Sequence, residues 1–147
     1  MSGLSLLLQD GESAGVYLLD APVAVIEIEK EVAQCDYAFF YLEGGSILSK
    51  EQFLEQIARA MEFPGYFGGN WDALEDCLTD LSWCEAPGYV ILYDHFDVFA
   101  EQVPDQFETA LEILDASVEF WRAQGKPLFV MLRGKGGPEW GLKLLTF

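Results

Sequence analysis

The amino-acid sequence predicts an α/β domain with a largely parallel sheet, and two observations favour this fold class. Short apolar runs with the length of buried strands alternate along the chain with amphipathic stretches that have the period of helices. The 147 residues are 51% hydrophobic and 14% aromatic, which is enough for a substantial core. We therefore expect one compact domain.

Four short segments have the character of strands. Residues 37–42 are aromatic and are followed by Gly44 and Gly45, as expected of a buried strand. Residues 88–93 and 127–132 have the same apolar character. Residues 15–19 form a fourth, shorter candidate.

Helical periodicity predicts four helices, at residues 21–33, 50–61, 71–81 and 104–124. The first is ambiguous, because its branched side chains also suit a strand. Ser49 opens the second as a capping box, in which its side chain bonds the backbone N–H of Gln52 and the Gln52 side chain reaches back. Asn70 is the expected N-cap of the third helix. The Gly-rich residues 133–140 are expected to form a surface loop.

The charge of the chain limits its partners. The formal net charge is −17, and residues 60–121 contain acidic side chains from Glu62 to Glu119 but no Lys or Arg. DNA, RNA and anionic membranes need Lys and Arg to neutralise phosphates, so this composition argues against all three. A basic macromolecule is a better match, although an acidic solvated surface is the simplest interpretation of composition alone.

The cysteines and the N-terminus indicate a cytoplasmic protein. The three cysteines contain no Cys-x-x-Cys pair, and an odd number suits a reducing compartment better than a disulfide framework. No basic region precedes the leucines at positions 4–8, so they do not resemble a signal peptide. No apolar run approaches the roughly 20 residues needed to span a bilayer.

The predicted helix at 71–81 has one apolar and one acidic side. With about 100° per residue, its apolar stripe is wide enough to pack on a sheet, and it comprises Leu74, Cys77, Leu78 and Leu81. The opposite side carries carboxylates at i, i+3, i+4 and i+8, those of Asp72, Glu75, Asp76 and Asp80. Like charges one turn apart repel by a few tenths of a kcal/mol. The pattern suits either a solvated face or a binding surface, and nearby aromatic residues and a Gly-Gly turn favour binding.

Residues 63–81, FPGYFGGNWDALEDCLTDL, resemble the signature of the barstar family, the intracellular inhibitors of barnase-type ribonucleases. A looser similarity in the order of elements extends over residues 37–132. The resemblance implies a barstar-like fold, with a parallel three-stranded sheet packed with helices. It also implies a family domain at 35–135, an added N-terminal strand and helix within residues 1–34 packed on the same domain, and a C-terminal tail at 136–147.

The resemblance further implies that the chain inhibits a basic ribonuclease with this helix and the preceding loop, as an immunity protein does for a ribonuclease toxin. Asp76 would occupy the pocket meant for substrate phosphate, Asp72 would form a second ion pair, and Tyr66 would pack against a catalytic His of the enzyme. The further expected contacts are Gly68, Asn70, Glu75, Thr79 and Asp80. Neither a cofactor nor a metal ion is expected.

Two positions depart from the family pattern. Glu75 stands where the founding inhibitor has Trp, and Phe120 stands at a late-helix position that supplies that inhibitor with an acidic contact. These departures leave the identity of the nuclease open. A second acidic stripe on the 104–124 helix is expected to be a solvated face, and it consists of Glu108, Glu112, Asp115 and Glu119.

Two other functions remain open. The chain is alternatively an acidic interaction module for a different basic protein. It is also conceivable as a hydrolase using Asp94 and His95, which follow a strand as catalytic groups often do in α/β enzymes. Their spacing is unspecific, however, and a hydrogen-bonded His is the simpler interpretation. Cys77, Cys84 and His95 lack the spacing of metal ligands.

Overall fold

The computed structural model describes residues 3–65 and 67–147, which form one sheet with helices on both of its faces. The strands are β1 (Gly15–Leu18), β2 (Ala38–Glu43), β3 (Tyr89–Asp94), β4 (Leu128–Arg133) and β5 (Lys143–Leu144). The helices are α1 (Gly3–Gln9), α2 (Val25–Gln34), α3 (Lys50–Ala60), α4 (Trp71–Leu78), α5 (Phe96–Gln102) and α6 (Pro104–Ala123).

The strands lie in the order β2-β3-β4-β1-β5, and each neighbouring pair is parallel. The prediction of a three-stranded sheet is therefore wrong, because β1 and β5 extend the sheet beyond β4. β1 matches the predicted strand at 15–19. β5 has only two residues, too few to produce a recognisable alternation of apolar and polar side chains.

The two faces of the sheet are covered by different parts of the chain. On one face, the ring of Phe53 in α3 lies 5.8 Å from the ring of Tyr93 in β3. The neighbouring Leu92 points to the opposite face because side chains alternate along a strand, and it is fully buried. A second layer of structure must therefore cover that face.

The N-terminal residues provide this second layer. Tyr37 directly precedes β2 and lies on the Leu92 face, because it is four positions before Tyr41, the residue of β2 that pairs with Leu92. Its hydroxyl donates to the carbonyl of Leu8 in α1 at 2.8 Å. Arg133, at the end of β4, donates to the carbonyl of Val23 at 2.6 Å, just before α2. Residues 3–36 are thus packed on the same sheet as the rest of the chain.

The predicted helices have counterparts in the structure, with one correction to the capping box. The hydroxyl of Ser49 accepts from the Gln52 backbone N–H at 3.2 Å, as predicted. The Gln52 side chain, however, accepts from the N–H of Leu48 at 2.7 Å, one residue earlier than a capping box requires. The ambiguous segment at 21–33 is helical only from Val25 onward, as α2.

Sequence periodicity does not predict α1 or α5, each of which has only seven residues. α5 begins directly after His95, whose backbone is left-handed (φ 55°, ψ 41°), and Val103 alone separates it from α6. Within the described ranges 3–65 and 67–147, no helix is both long enough and apolar enough to cross a membrane.

Candidate functional site

Asn70 caps the N-terminus of α4, as predicted. Its backbone is extended (φ −132°, ψ 174°), and its Oδ1 atom accepts from the Ala73 N–H at 2.8 Å. Such a bond satisfies one of the N–H groups that have no partner within a helix, and it typically contributes about 1 kcal/mol. The cap fixes the direction in which α4 leaves the preceding loop.

α4 carries an acidic ridge, which we define as Asp72, Glu75 and Asp76. All three side chains are exposed, whereas the other side of the helix is buried in the core through Leu74, Cys77 and Leu78. None of the ion pairs formed by residues 3–65 and 67–147 involves the ridge. Within the described part of the chain, the ridge therefore presents three exposed carboxylates that no Lys, Arg or His side chain pairs with.

The helix is shorter than the predicted segment 71–81, so Asp80 lies beyond the ridge. α4 ends at Leu78, and Leu81 adopts a left-handed backbone with φ 49°. The hydroxyl of Thr79 donates to the carbonyl of Glu75 at 2.8 Å, which satisfies part of the helix end. Asp80 is exposed and accepts from the hydroxyl of Ser82 at 3.3 Å.

The loop before α4 brings the Gly68 backbone close to the first turn of the helix. Gly69 has φ +69°, a conformation that favours glycine. At Gly68 an added Cβ atom would lie 3.6 Å from Asn70 Nδ2 and 3.7 Å from Ala73 Cβ, which is ordinary contact. The expected contact Tyr66 lies outside the described residues.

Aromatic side chains anchor both the loop and α4. The indole N–H of Trp71 donates to Gln106 Oε1 of α6 at 3.2 Å, and Lys50 Nζ lies 5.5 Å from the centroid of the same ring system. Phe67 and Trp71 are half-buried and pack against the core. These two rings therefore help to hold the loop and helix in place.

Trp83 is a residue of this region that the sequence interpretation missed. Its indole N–H donates to the carbonyl of Met61 at 3.1 Å, and its ring meets Phe63 edge-on at 5.9 Å. Phe63 in turn meets Phe67 at 5.0 Å. No periodicity marks Trp83, because it lies in an irregular segment after α4.

The second acidic stripe lies away from the ridge. Glu108, Glu112 and Asp115 line a groove on α6. α4 contacts a different flank of α6 through Gln106, which lies about 180° from Asp115 on a helical wheel. Burial raises the pKa of the Asp115 carboxyl, with a further contribution from the negative charge of a nearby glutamate.

Asp94 and His95 do not form a catalytic pair with each other. The Arg133 guanidinium donates to both carboxylate oxygens of Asp94, at 2.6 Å and 2.9 Å, and the Tyr41 hydroxyl donates to Asp94 at 2.8 Å. Burial alone would raise the pKa of Asp94, but these hydrogen bonds outweigh it and lower the pKa. The Asp94 carboxylate therefore holds the carboxyl ends of β3 and β4 together through Arg133.

His95 is exposed and bonds a different carboxylate. Its Nδ1 atom lies 2.7 Å from Glu43 Oε1, and this hydrogen bond raises the pKa of the imidazole. Among the residues that the structure describes, no cluster of three His, Cys, Asp or Glu side chains could hold a metal ion. Cys35, Cys77 and Cys84 are free thiols.

Comparison with known proteins identifies one related family. The model of the family described as Barstar (barnase inhibitor) matches residues 37–133. The matched residues include β2, β3, β4, the ridge and the loop before it, whereas β1 and β5 lie outside them. A search of curated proteins finds no match.

Proposed function

The chain belongs to the barstar family of barnase inhibitors, and from this premise we propose that it inhibits a basic ribonuclease and catalyses no reaction of its own. The observation that carries the proposal is the ridge, whose exposed carboxylates lie outside every ion pair of the described residues. A ribonuclease site is cationic because it must hold phosphate, and carboxylates on a fixed helix are suitable partners for its Arg and Lys groups.

The family pattern suggests a role for each contact residue. We propose that Asp76 replaces the substrate phosphate, that Asp72 forms a second ion pair, and that Tyr66 packs on a catalytic His of the enzyme. Asn70 caps α4 with its side-chain oxygen, and its Nδ2 group would donate to the nuclease. Thr79, Asp80 and Gly68 would complete the contact around the ridge.

Glu75 gives the ridge a third carboxylate and therefore bears on the choice of nuclease. It is exposed between Asp72 and Asp76, where the founding inhibitor of the family has Trp. We propose that Glu75 pairs with a further cation of a nuclease that differs from barnase at this point. Phe120, 39% exposed on α6, would add an apolar contact in place of an acidic one.

Long-range attraction should accelerate formation of this complex. The net charge of −17 creates a field that steers a basic partner toward the ridge. The Debye length falls from about 10 Å at 0.1 M salt to about 3 Å at 1 M, so association should slow as salt is added. Free thiols fit a reducing compartment, and we propose that the inhibitor acts in the cytoplasm.

The proposal is tested by titrating the protein into small basic ribonucleases from the same organism and following RNA cleavage. We expect stoichiometric inhibition of at least one enzyme, and weaker inhibition when a mononucleotide already occupies the enzyme's phosphate pocket. Asp76→Ala should weaken the inhibition at least about a hundredfold. If wild-type protein inhibits none of the enzymes, or if Asp76→Ala inhibits as well as wild type, the proposal is wrong.

A different basic protein partner is the second candidate, and the observation in its favour is Glu75, which replaces the aromatic residue of the founding inhibitor. Binding to a basic protein that has no ribonuclease activity, abolished by Asp76→Ala, would favour this candidate. The hydrolase hypothesis gains no support, because Asp94 is paired with Arg133 and His95 with Glu43. His95→Ala should leave partner binding unchanged.

A further inference from the structure

The loop residues 62–65 and 67–70, which lead into α4, form neither helix nor strand, although the proposed contact surface depends on their shape. Immobilising such a loop during association would cost free energy, and a loop that is already ordered avoids this cost. Among the described loop residues, the Phe63 N–H donates to the Ala58 carbonyl at 2.9 Å and the Phe67 N–H donates to the Pro64 carbonyl at 3.0 Å. Bonds this local do not fix the position of the loop relative to the ridge.

Side-chain contacts hold both ends of the loop. At its C-terminal end, Asn70 caps α4 and Trp71 is bonded to Gln106 of α6. At its N-terminal end, the indole of Trp83 donates to the Met61 carbonyl at 3.1 Å. Trp83 reaches this end from the segment after α4, so it connects the chain on both sides of the ridge.

The Trp83 ring also begins a row of aromatic contacts that runs into the loop. It meets Phe63 edge-on at 5.9 Å with an interplanar angle of 80°, and Phe63 meets Phe67 at 5.0 Å and 62°. Edge-to-face pairs at these separations are favourable and directional. All three rings are half-buried and pack against the core.

We propose that Trp83 is a positioning residue for partner binding: it holds the loop before α4 in the conformation that the partner recognises, through the Met61 carbonyl and the Phe63 ring. This inference rests on the proposed function for its consequence, but its structural part can be measured in the free protein. Removal of the indole should loosen the loop while the ridge keeps its carboxylates and its buried stripe.

The test compares Trp83→Phe and Trp83→Ala with the control Trp140→Phe, which alters a half-buried tryptophan packed on Phe107. Hydrogen exchange at the Phe63 and Phe67 amides should accelerate about tenfold in Trp83→Phe and more in Trp83→Ala. The exchange rates of both amides should stay unchanged in Trp140→Phe. Affinity for the inhibited ribonuclease should fall about tenfold in Trp83→Phe, through slower association or faster dissociation.

The outcomes separate this inference from the proposed function. Unchanged exchange at both amides in Trp83→Phe would overturn the positioning role, whatever the protein binds. Faster exchange with unchanged affinity would overturn it as well, because the loop conformation would then not matter to the partner. If wild-type protein inhibits no ribonuclease, the proposed function fails, and the exchange data still decide whether Trp83 orders the loop.

Discussion

Arg133→Ala should lower the free energy of unfolding by about 3 kcal/mol. The guanidinium group contacts Asp94 with two hydrogen bonds, and the two side chains are only 18% and 11% exposed. Removing one partner of a buried ion pair costs about 3–5 kcal/mol, because the other charge stays buried without its partner. The remaining solvent access places this pair at the lower end of that range. Loss of the bond to the Val23 carbonyl adds to the effect.

Urea unfolding followed by circular dichroism measures this loss directly. The matched control is Lys30→Ala, which breaks an ion pair whose side chains are 65% and 60% exposed and which should cost less than about 1 kcal/mol. Asp94→Asn combined with Arg133→Ala should cost less than the sum of the single changes. A loss for Arg133→Ala no larger than that for Lys30→Ala would refute this reasoning.

Three further predictions follow from the same structure. Hydrogen bonds lower the pKa of Asp94 in the folded state. The stability that Asp94 contributes is therefore complete above its unfolded-state pKa and is lost as the pH falls through its folded-state pKa. Below about pH 4, the urea midpoint of wild type should fall more steeply than that of Asp94→Asn. Gly68→Ala should unfold like wild type, since the added methyl group is accommodated, but should weaken ribonuclease binding; equal affinity in a binding titration would show that the partner does not approach Gly68. Residues 37–147 alone should lack a cooperative urea transition, because β1 lies between β4 and β5; a sharp transition would show that the N-terminal residues are dispensable.

Local side-chain chemistry explains which elements the sequence predicts well. The Asn70 cap is recognisable because an amide oxygen at this position bonds an N–H three residues later, and the structure has that bond at 2.8 Å. β3 and β4 are buried along their whole length, apart from the partial exposure of Arg133. Such continuous apolar runs are typical of central parallel strands.

The missed features depend on contacts between segments that are distant in the chain. β5 has only two residues, and it is a strand because it pairs with β1. α4 ends at Leu78, and the chain that follows adopts a left-handed backbone at Leu81, which sequence periodicity does not predict. Trp83 contacts Met61 and Phe63, which lie 22 and 20 positions earlier in the chain.

The part of the site that sequence predicts is the ridge, because its helical spacing defines it. Asp72, Glu75 and Asp76 lie within about one turn of one another on α4, and all three are exposed. Asp80 falls outside the ridge because α4 already ends at Leu78. The network of Asp94 and Arg133 requires the register of β3 and β4, in which these residues are direct neighbours.

The most direct measurement of the proposed function compares two variants with equal loss of charge. Asp76→Ala removes a ridge carboxylate. Glu112→Ala removes an exposed carboxylate of α6, on a different flank from the one that contacts α4. If Asp76 fills the phosphate pocket of the nuclease, its removal should weaken inhibition at least about a hundredfold, since breaking a buried ion pair costs about 3–5 kcal/mol. Glu112→Ala should weaken it less than about fivefold. Equal losses in the two variants would show that only the net charge matters, and would contradict the assignment of α4 as the inhibitory helix.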